Sequence, residues 1–216
     1  MMVDAGAAAG WESRFLDLPD GARLRLARWT SPPDAPRAAM LILHGRTEFN
    51  EKYGEAAEDL SRQGFAVWTF DWRGQGLSSR LLPDRQRGHV ETYDMLVDDL
   101  RAVIAAVKAE IGALKLAVLA HSMGGHVAVR YLQTGAAAVA GAVLSAPMLG
   151  IGTERFPLWL ARALSWAAVS LGFAGGYALS QRPWRPGRDR FEGNLLTSDP
   201  HRHAVQQRWF VDHPEL

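Results

Sequence analysis

Residues 114–125 read Leu-Lys-Leu-Ala-Val-Leu-Ala-His-Ser-Met-Gly-Gly, and residues 126–132 continue His-Val-Ala-Val-Arg-Tyr-Leu. The first seven form a short apolar run with one lysine, the pattern of a strand covered on both faces. The last seven suit a helix. Between them, Ser122 has a small residue two positions away on either side, Ala120 and Gly124. This is G-x-S-x-G with Ala for the first Gly, and its physical demand is a sharp turn from strand to helix. Small flanking residues keep strand and helix from colliding. The turn holds the serine in a strained backbone conformation with its hydroxyl exposed at the sheet edge. An ordinary serine in a βα loop carries no such context; the strand before and the helix after favour the elbow.

Outward from this stretch the same rhythm repeats. Ala38–Leu43 (AAMLIL), Phe65–Phe70 (FAVWTF) and Val139–Leu144 (VAGAVL) are further apolar runs of strand length. Helical segments separate them. Tyr53–Arg62 stops before Gly64, a natural C-terminal breaker. Thr92–Ile111 puts Leu96, Val97, Leu100, Val103, Ile104 and Val107 on one face at the 3.6 period. Alternating strands and helices predict an α/β domain with a doubly wound, mostly parallel sheet. At the start, Phe15–Asp17, the turn Pro19-Asp20-Gly21 and Arg23–Leu26 read as an antiparallel hairpin. Ser31–Pro36 is a loop, and Ala7–Gly10 a frayed start.

A chain of 216 residues suffices for one domain with a sizeable core. Lys and Arg total 24 against 23 Asp and Glu, a net charge of +1. Without a basic excess, a general phosphate-backbone binder is disfavoured, so no nucleic-acid partner is expected. The chain has no cysteine, which excludes disulfide scaffolds, thiolate zinc sites and a cysteine nucleophile. No metal or cofactor is expected. Gly74-Gln75-Gly76 lacks the third glycine of a dinucleotide fingerprint, because Ser79 stands there and no helix follows. It reads instead as a tight structural loop beneath the site. Ala163–Ser180 is uncharged and 18 residues long, the lower edge of a membrane span. Its three Gly and three Ser, with Arg162 before it, favour a packed helical hairpin or a lid touching lipid. The first residues show no basic n-region and no apolar h-region, so the expected location is cytoplasmic, with peripheral membrane contact through the lid.

The run Leu41-Ile42-Leu43-His44-Gly45-Arg46-Thr47-Glu48 ends another of these strands. A strand–His–Gly turn aims the backbone N–H of Arg46 at the space above Ser122, and the N–H of Met123 supplies a second donor. Two such donors make an oxyanion hole, and losing one typically costs roughly 10²–10³ in rate. His44 reads as a brace for this turn, not as a catalytic base. Arg46 also has a side chain suited to an anionic head group, though surface arginines usually do nothing so specific.

Taken together, His44-Gly45 with Glu48, Asp71-Trp72-Arg73-Gly74-Gln75-Gly76-Leu77-Ser78, His121-Ser122-Met123-Gly124-Gly125 and Ser145-Ala146-Pro147 resemble the α/β-hydrolase superfamily. The chain looks most like its monoacylglycerol lipase and lysophospholipase branch, also described as serine aminopeptidase-like. The resemblance covers about residues 14–150. It implies an ester hydrolase acting on monoacyl lipids through an acyl-enzyme, with Ser122 as nucleophile and the N–H groups of Arg46 and Met123 as oxyanion donors. It also implies that residues 1–150 are the N-terminal part of the core and residues 151–216 a helical lid over the acyl pocket.

In that superfamily the acid and base follow the serine, each after a further strand. The candidates here are Asp189, Asp199 and Asp212 with His201, His203 and His213, and none follows a strand-like run. Phe156–Ala178 reads as apolar helix, Ala204–Val211 as a short helix, and Ser198 or Asp199 as a helix cap. His89, His121 and His126 precede or flank the elbow. The expectation is therefore a sheet incomplete at its C-terminal side, with the triad acid and base not among these residues. Two other readings remain open: a catalytically incompetent fragment or non-catalytic binding protein of the same fold, and a carboxylesterase or peptidase of the same superfamily. Epoxide hydrolases and dehalogenases use aspartate at the elbow, so Ser122 argues against them.

Overall fold

Pro19-Asp20-Gly21 turns the chain through a hairpin closed by Leu18 N–H to Ala22 O at 2.8 Å and Gly21 N–H to Leu18 O at 3.0 Å. Gly21 takes φ 83°, which the turn requires. The hairpin joins β1 (Trp11–Asp17) to β2 (Arg23–Trp29), with Trp11 opposite Trp29 and Leu16 opposite Leu24. In this computed structural model the described residues are 10–135, 138–150, 152, 157–177, 182–185, 187, 190–194, 196–212 and 214.

The parallel part begins with β3 (Ala38–Leu43), followed by a 3₁₀ turn at Asn50–Tyr53, α1 (Gly54–Arg62) and β4 (Phe65–Phe70). Then come α2 (Tyr93–Ile111), β5 (Leu116–His121), α3 (Met123–Gln133) and β6 (Gly141–Ser145). Two more helices follow, α4 (Leu158–Ser170) and α5 (Pro200–Asp212). The six strands form one sheet in the order β1-β2-β4-β3-β5-β6, parallel from β4 to β6 and antiparallel at β1 and β2. This is the α/β-hydrolase arrangement expected from the sequence.

Alternate residues of the central strands feed two cores. Leu41, Leu43, Leu116 and Val118 pack under α2 and α3 with Leu100 and Ile104. Ile42 and Val67 face the other side, where Ala57 of α1 meets Trp11 and Trp29. Crossover helices on both faces are what bury both faces of a parallel sheet. The crossover from β3 to β4 runs one way along the sheet and that from β4 to β5 the other. This reversal opens a crevice at the carboxyl ends of the strands, where ligands of open α/β sheets bind.

β6 departs from the burial read in its apolar run, although an open edge at this C-terminal side was expected of the sheet. Its apolar sequence suggested burial on both faces, yet it is exposed throughout, with Val143 at 59%. It is the outermost strand and, among the described residues, pairs only with β5. Apolarity marks what a strand is able to bury; an edge position decides whether it does. α4 is also shorter than the expected 156–178 segment, whose residues 156 and 178 lie outside the described ones. It stops at Ser170, where Leu171 N–H bonds Ala167 O and Gly172 takes φ 85°. No described helix is long and apolar enough to cross a membrane. Asp199 caps α5, its Oδ1 accepting from His201 N–H at 2.8 Å and Arg202 N–H at 3.3 Å.

A buried ionic hub ties the hairpin to the loops of the crevice. Arg25 of β2 donates through Nε to Asp71 Oδ2 at 2.7 Å and through its two terminal nitrogens to Glu51 at 2.6 and 2.9 Å. Asp71 also accepts from Asn50 N–H at 3.0 Å and Leu77 N–H at 2.8 Å. Burial opposes the charge on Arg25, but Asp71 and Glu51 outweigh it and hold the guanidinium far into its protonated range. Gly76 passes so close that a Cβ there would lie 2.1 Å from the Asp71 carboxylate. Removing one partner of a buried ion pair strands the other charge, at a cost of about 3–5 kcal/mol. Asp71→Ala is therefore expected to lower folding stability by about that amount, read as a fall in the urea midpoint. A midpoint within error of the wild type would show that the hub does not hold the fold.

Candidate active site

β5 delivers the chain to Ser122, which takes φ 50° and ψ −115° before α3 begins at Met123. A non-glycine residue here is strained, and such strain persists only where its surroundings enforce it. They do so from two sides. Ser122 N–H donates to Ser145 O at 3.1 Å, and Ser122 O accepts from Met148 N–H at 2.9 Å. On the other side, the first turn of α3 rests on the end of β3. A Cβ at Gly124 would lie 2.5 Å from Leu43 O and 2.7 Å from His44 O, so only glycine allows the approach. Ala120 is fully buried in β5, which explains why a small residue stands there. Ser122 itself is half-buried, not sealed in the interior.

The turn after β3 lies against this elbow; a Cβ at Gly45 would sit 3.3 Å from His121 Cδ2. His44 is fully buried. Its Nδ1–H donates to Gly45 O at 2.8 Å, since a carbonyl only accepts, and its Nε2 accepts from Trp72 N–H at 3.4 Å. Trp72 Nε1–H returns a bond to His44 O at 2.9 Å. Burial pushes the His44 pKa below its ordinary value despite the pull of Asp71 nearby. The ring is thus a neutral brace with both nitrogens engaged. Beyond it, Arg46 and Thr47 are exposed, and Thr47 takes φ 61°.

Two buried side chains grip this turn. Glu48 accepts from Gly45 N–H at 2.6 Å, from Tyr53 Oη–H at 2.7 Å and from Lys52. Burial raises the Glu48 pKa, but the Lys52 ammonium and these donors outweigh it and keep the carboxyl below its usual range. The same packing, by burial first and the Glu48 charge second, pushes the Tyr53 phenol well up. From the loop after β4, Gln75 Oε1 accepts from Thr47 N–H and, at 3.4 Å, from Glu48 N–H. Among the described residues, Arg46 N–H has no hydrogen-bond partner. The sequence singled out Ser122, Arg46 and Met123, and the fold brings their loops to one end of the sheet. It gave no role to Gln75. A polar residue between two glycines was the available signal.

None of the other candidates among the described residues bonds Ser122 through its side chain, although His126 N–H donates to Ser122 O at 3.2 Å. His121 Nδ1 faces Ser145 O at 3.2 Å, the His126 ring meets Tyr93, and His203 packs on Phe191. Asp199 caps α5, and Asp189 and His213 lie outside the described residues. No described side chain bonds Ser122 Oγ. No group of His, Asp or Glu among the described residues is spaced to hold a metal ion.

Helix α5 and the residues after α4 contact the loops that follow β3 and β4 and the first turn of α1. Phe49 packs on Trp209 and Phe210 of α5, with ring centroids 5.8 and 5.9 Å apart. Arg202 pairs with Glu55 at 2.5 and 2.7 Å. Tyr177 Oη–H donates to Asp84, and Arg87 donates to Gly175 O.

A mixed sheet with a serine elbow at the carboxyl end of its central strands defines an α/β hydrolase. Residues 34–214 match the family described as serine aminopeptidase S33, and the chain belongs to that family. It is similar to lysophospholipase L2 of Escherichia coli K12, 38% identical over 178 residues that cover 82% of this chain and 52% of that protein. It is also similar to monoglyceride lipase of Rattus norvegicus, 26% identical over 196 residues covering 86% and 60%. Among solved structures, a thermostable carboxyl esterase from Bacillus coagulans superposes with a TM-score of 0.60 at 19% identity, over 76% of this chain and 51% of that one. The chain thus spans about half the length of the lysophospholipase it matches.

The buried neutral His44 makes a prediction about pH. Its folded pKa lies below the value of 6.5 it has when free. As pH falls below 6.5 the unfolded chain binds a proton that the folded chain refuses. The stability is thus complete above pH 6.5 and lost at up to about 1.4 kcal/mol per pH unit below it, until the folded pKa is reached. Urea melts at pH 7.5, 6.5 and 5.5 should show this decline, and His44→Gln should flatten the profile while lowering stability at pH 7.5. An equally steep profile in the variant would remove His44 as its source.

Proposed function

We propose that the protein is a serine ester hydrolase acting on monoacyl lipids of the lysophospholipid or monoacylglycerol type, with Ser122 as its nucleophile. The observation that carries this reading is the strained, half-exposed Ser122 at the start of α3, beside a turn whose Arg46 N–H is free to donate. Ser122 Oγ gives its proton to a general base and attacks the acyl carbonyl carbon. Arg46 N–H and Met123 N–H hold the resulting oxyanion, whose collapse breaks the bond to the head-group oxygen. The alcohol leaves with a proton, and water then cleaves the acyl-enzyme to release a fatty acid. Similarity to proteins named lysophospholipase and monoglyceride lipase supports the choice of substrate class. No described histidine lies on Ser122 Oγ, and this favours a second reading, a fold that binds an apolar ligand without turnover.

Residues 1–150 serve in this reading as core and residues 151–216 as the lid. α4 supports a lid that touches lipid. Trp159 and Trp166 are 69% and 74% exposed, and Leu171 and Phe173 just beyond are exposed too. An exposed apolar helix rich in tryptophan suits the interface of a lipid surface. The association is peripheral and does not span the membrane.

A fluorophosphonate probe tests the nucleophile. Labelling is expected on Ser122 and lost in Ser122→Ala; labelling that survives the substitution would end the hydrolase reading. Release of fatty acid from a lysophospholipid, abolished in the same variant, would exclude the binding-only reading. For the lid, tryptophan emission should shift to the blue with vesicles of phosphatidylcholine and phosphatidylglycerol. Trp159→Ala with Trp166→Ala should weaken binding about tenfold or more. Unchanged vesicle affinity would remove α4 from the contact.

A further inference from the structure

The two proposed oxyanion donors come from different strands, and catalysis of this kind needs them fixed relative to each other before the substrate arrives. One side chain reaches the residues next to the first donor and the side chain of the second. Gln75 is buried at the carboxyl end of β4. Its Oε1 takes the N–H groups of Thr47 and Glu48, directly after Arg46, and its Nε2 lies 3.8 Å from Met123 Sδ. Thr47 is β-branched and sits at φ 61°, a conformation its surroundings must enforce. Glu48 holds the other side of the turn through Gly45 N–H. With the N–H groups of Gly45, Thr47 and Glu48 taken by buried side chains, Arg46 N–H is the one of these four left without a partner among the described residues.

The loop that carries Gln75 is itself held. Gln75 N–H bonds Trp72 O at 2.9 Å, Ser78 N–H bonds Gln75 O at 3.2 Å, and Leu77 N–H bonds the buried Asp71. We propose that Gln75 is a positioning residue that sets the oxyanion hole, by clamping the Arg46 turn and abutting Met123. This rests on the reading of Ser122 as nucleophile. Gln75 touches no reacting atom; it acts through the backbone of residues 46–48.

The test compares Gln75→Leu with the wild type in the purified protein, using the saturable reaction with a fluorophosphonate, whose phosphonyl oxygen enters the hole. The limiting labelling rate should fall roughly 10–100-fold while the half-saturating concentration stays within about threefold. Amide hydrogen exchange should speed up at Thr47 and Glu48 and stay unchanged in α2. Gln75→Met, of similar length and without the acceptor, serves as the second variant if Gln75→Leu does not fold. A variant that labels at the wild-type limiting rate, or leaves exchange at residues 47 and 48 unchanged, overturns the positioning role while Ser122 stands. Ser122→Ala is run in parallel. Labelling that survives it, or a wild type that does not label, overturns the nucleophile and the positioning role together.

Discussion

The contact between the first turn of α3 and the carbonyls of Leu43 and His44 is the constraint on which the site depends. It is possible only because Gly124 has no side chain. It brings the start of a helix to the end of the neighbouring strand and forces the chain at Ser122 into φ 50°. The bonds from Ser122 N–H to Ser145 O and from Met148 N–H to Ser122 O then hold it there. A strained backbone of this kind is stabilised by the parts around it. The elbow is thus a property of β3, β5 and β6 together and not of five residues alone.

The second organising element is charge placed where water is absent. Arg25, Asp71 and Glu51 satisfy one another at short distances, and Asp71 also fixes the backbone of Asn50 and Leu77. Arg73 does the same farther along, bonding Asp99 of α2 at 2.7 and 3.0 Å and Asp20 of the hairpin turn. Burial raises the Asp99 pKa in spite of that arginine. Such pairs add little net stability over apolar packing, but they fix geometry because each member has few places to go. Here they anchor the loops that follow β3 and β4, on which the turn beside Ser122 is built.

The exposed side chains of β6 and α4 contrast with this order. Both are apolar in sequence, and both lie where no described element covers them. Among the described residues, the tertiary ties of the C-terminal third run instead through α5, to Phe49 and the exposed Glu55, and through Gly175 and Tyr177, to Arg87 and Asp84.

Much of the fold was legible in the residues. Apolar runs of strand length, the one-sided pattern of Leu96 to Val107 and the Pro-Asp-Gly turn are local signals, and each element appeared within a few residues of its expected place. The Ser122 motif was legible for the same reason, since strand, small residue, serine and helix are contiguous. Three things were not. That β6 is exposed depends on its being last in the sheet, which no local pattern encodes. His44 reads as a brace, but its partner there, Trp72, lies far along the chain and no local pattern names it. That Gln75 grips the turn at Thr47 depends on β3 and β4 lying side by side. The sequence by itself determined the elements and the serine elbow, because periodicity and chain stereochemistry act over a few residues. Only the tertiary structure decided which buried polar groups meet, because hydrogen bonds between distant segments form once the sheet order has set the distance between them.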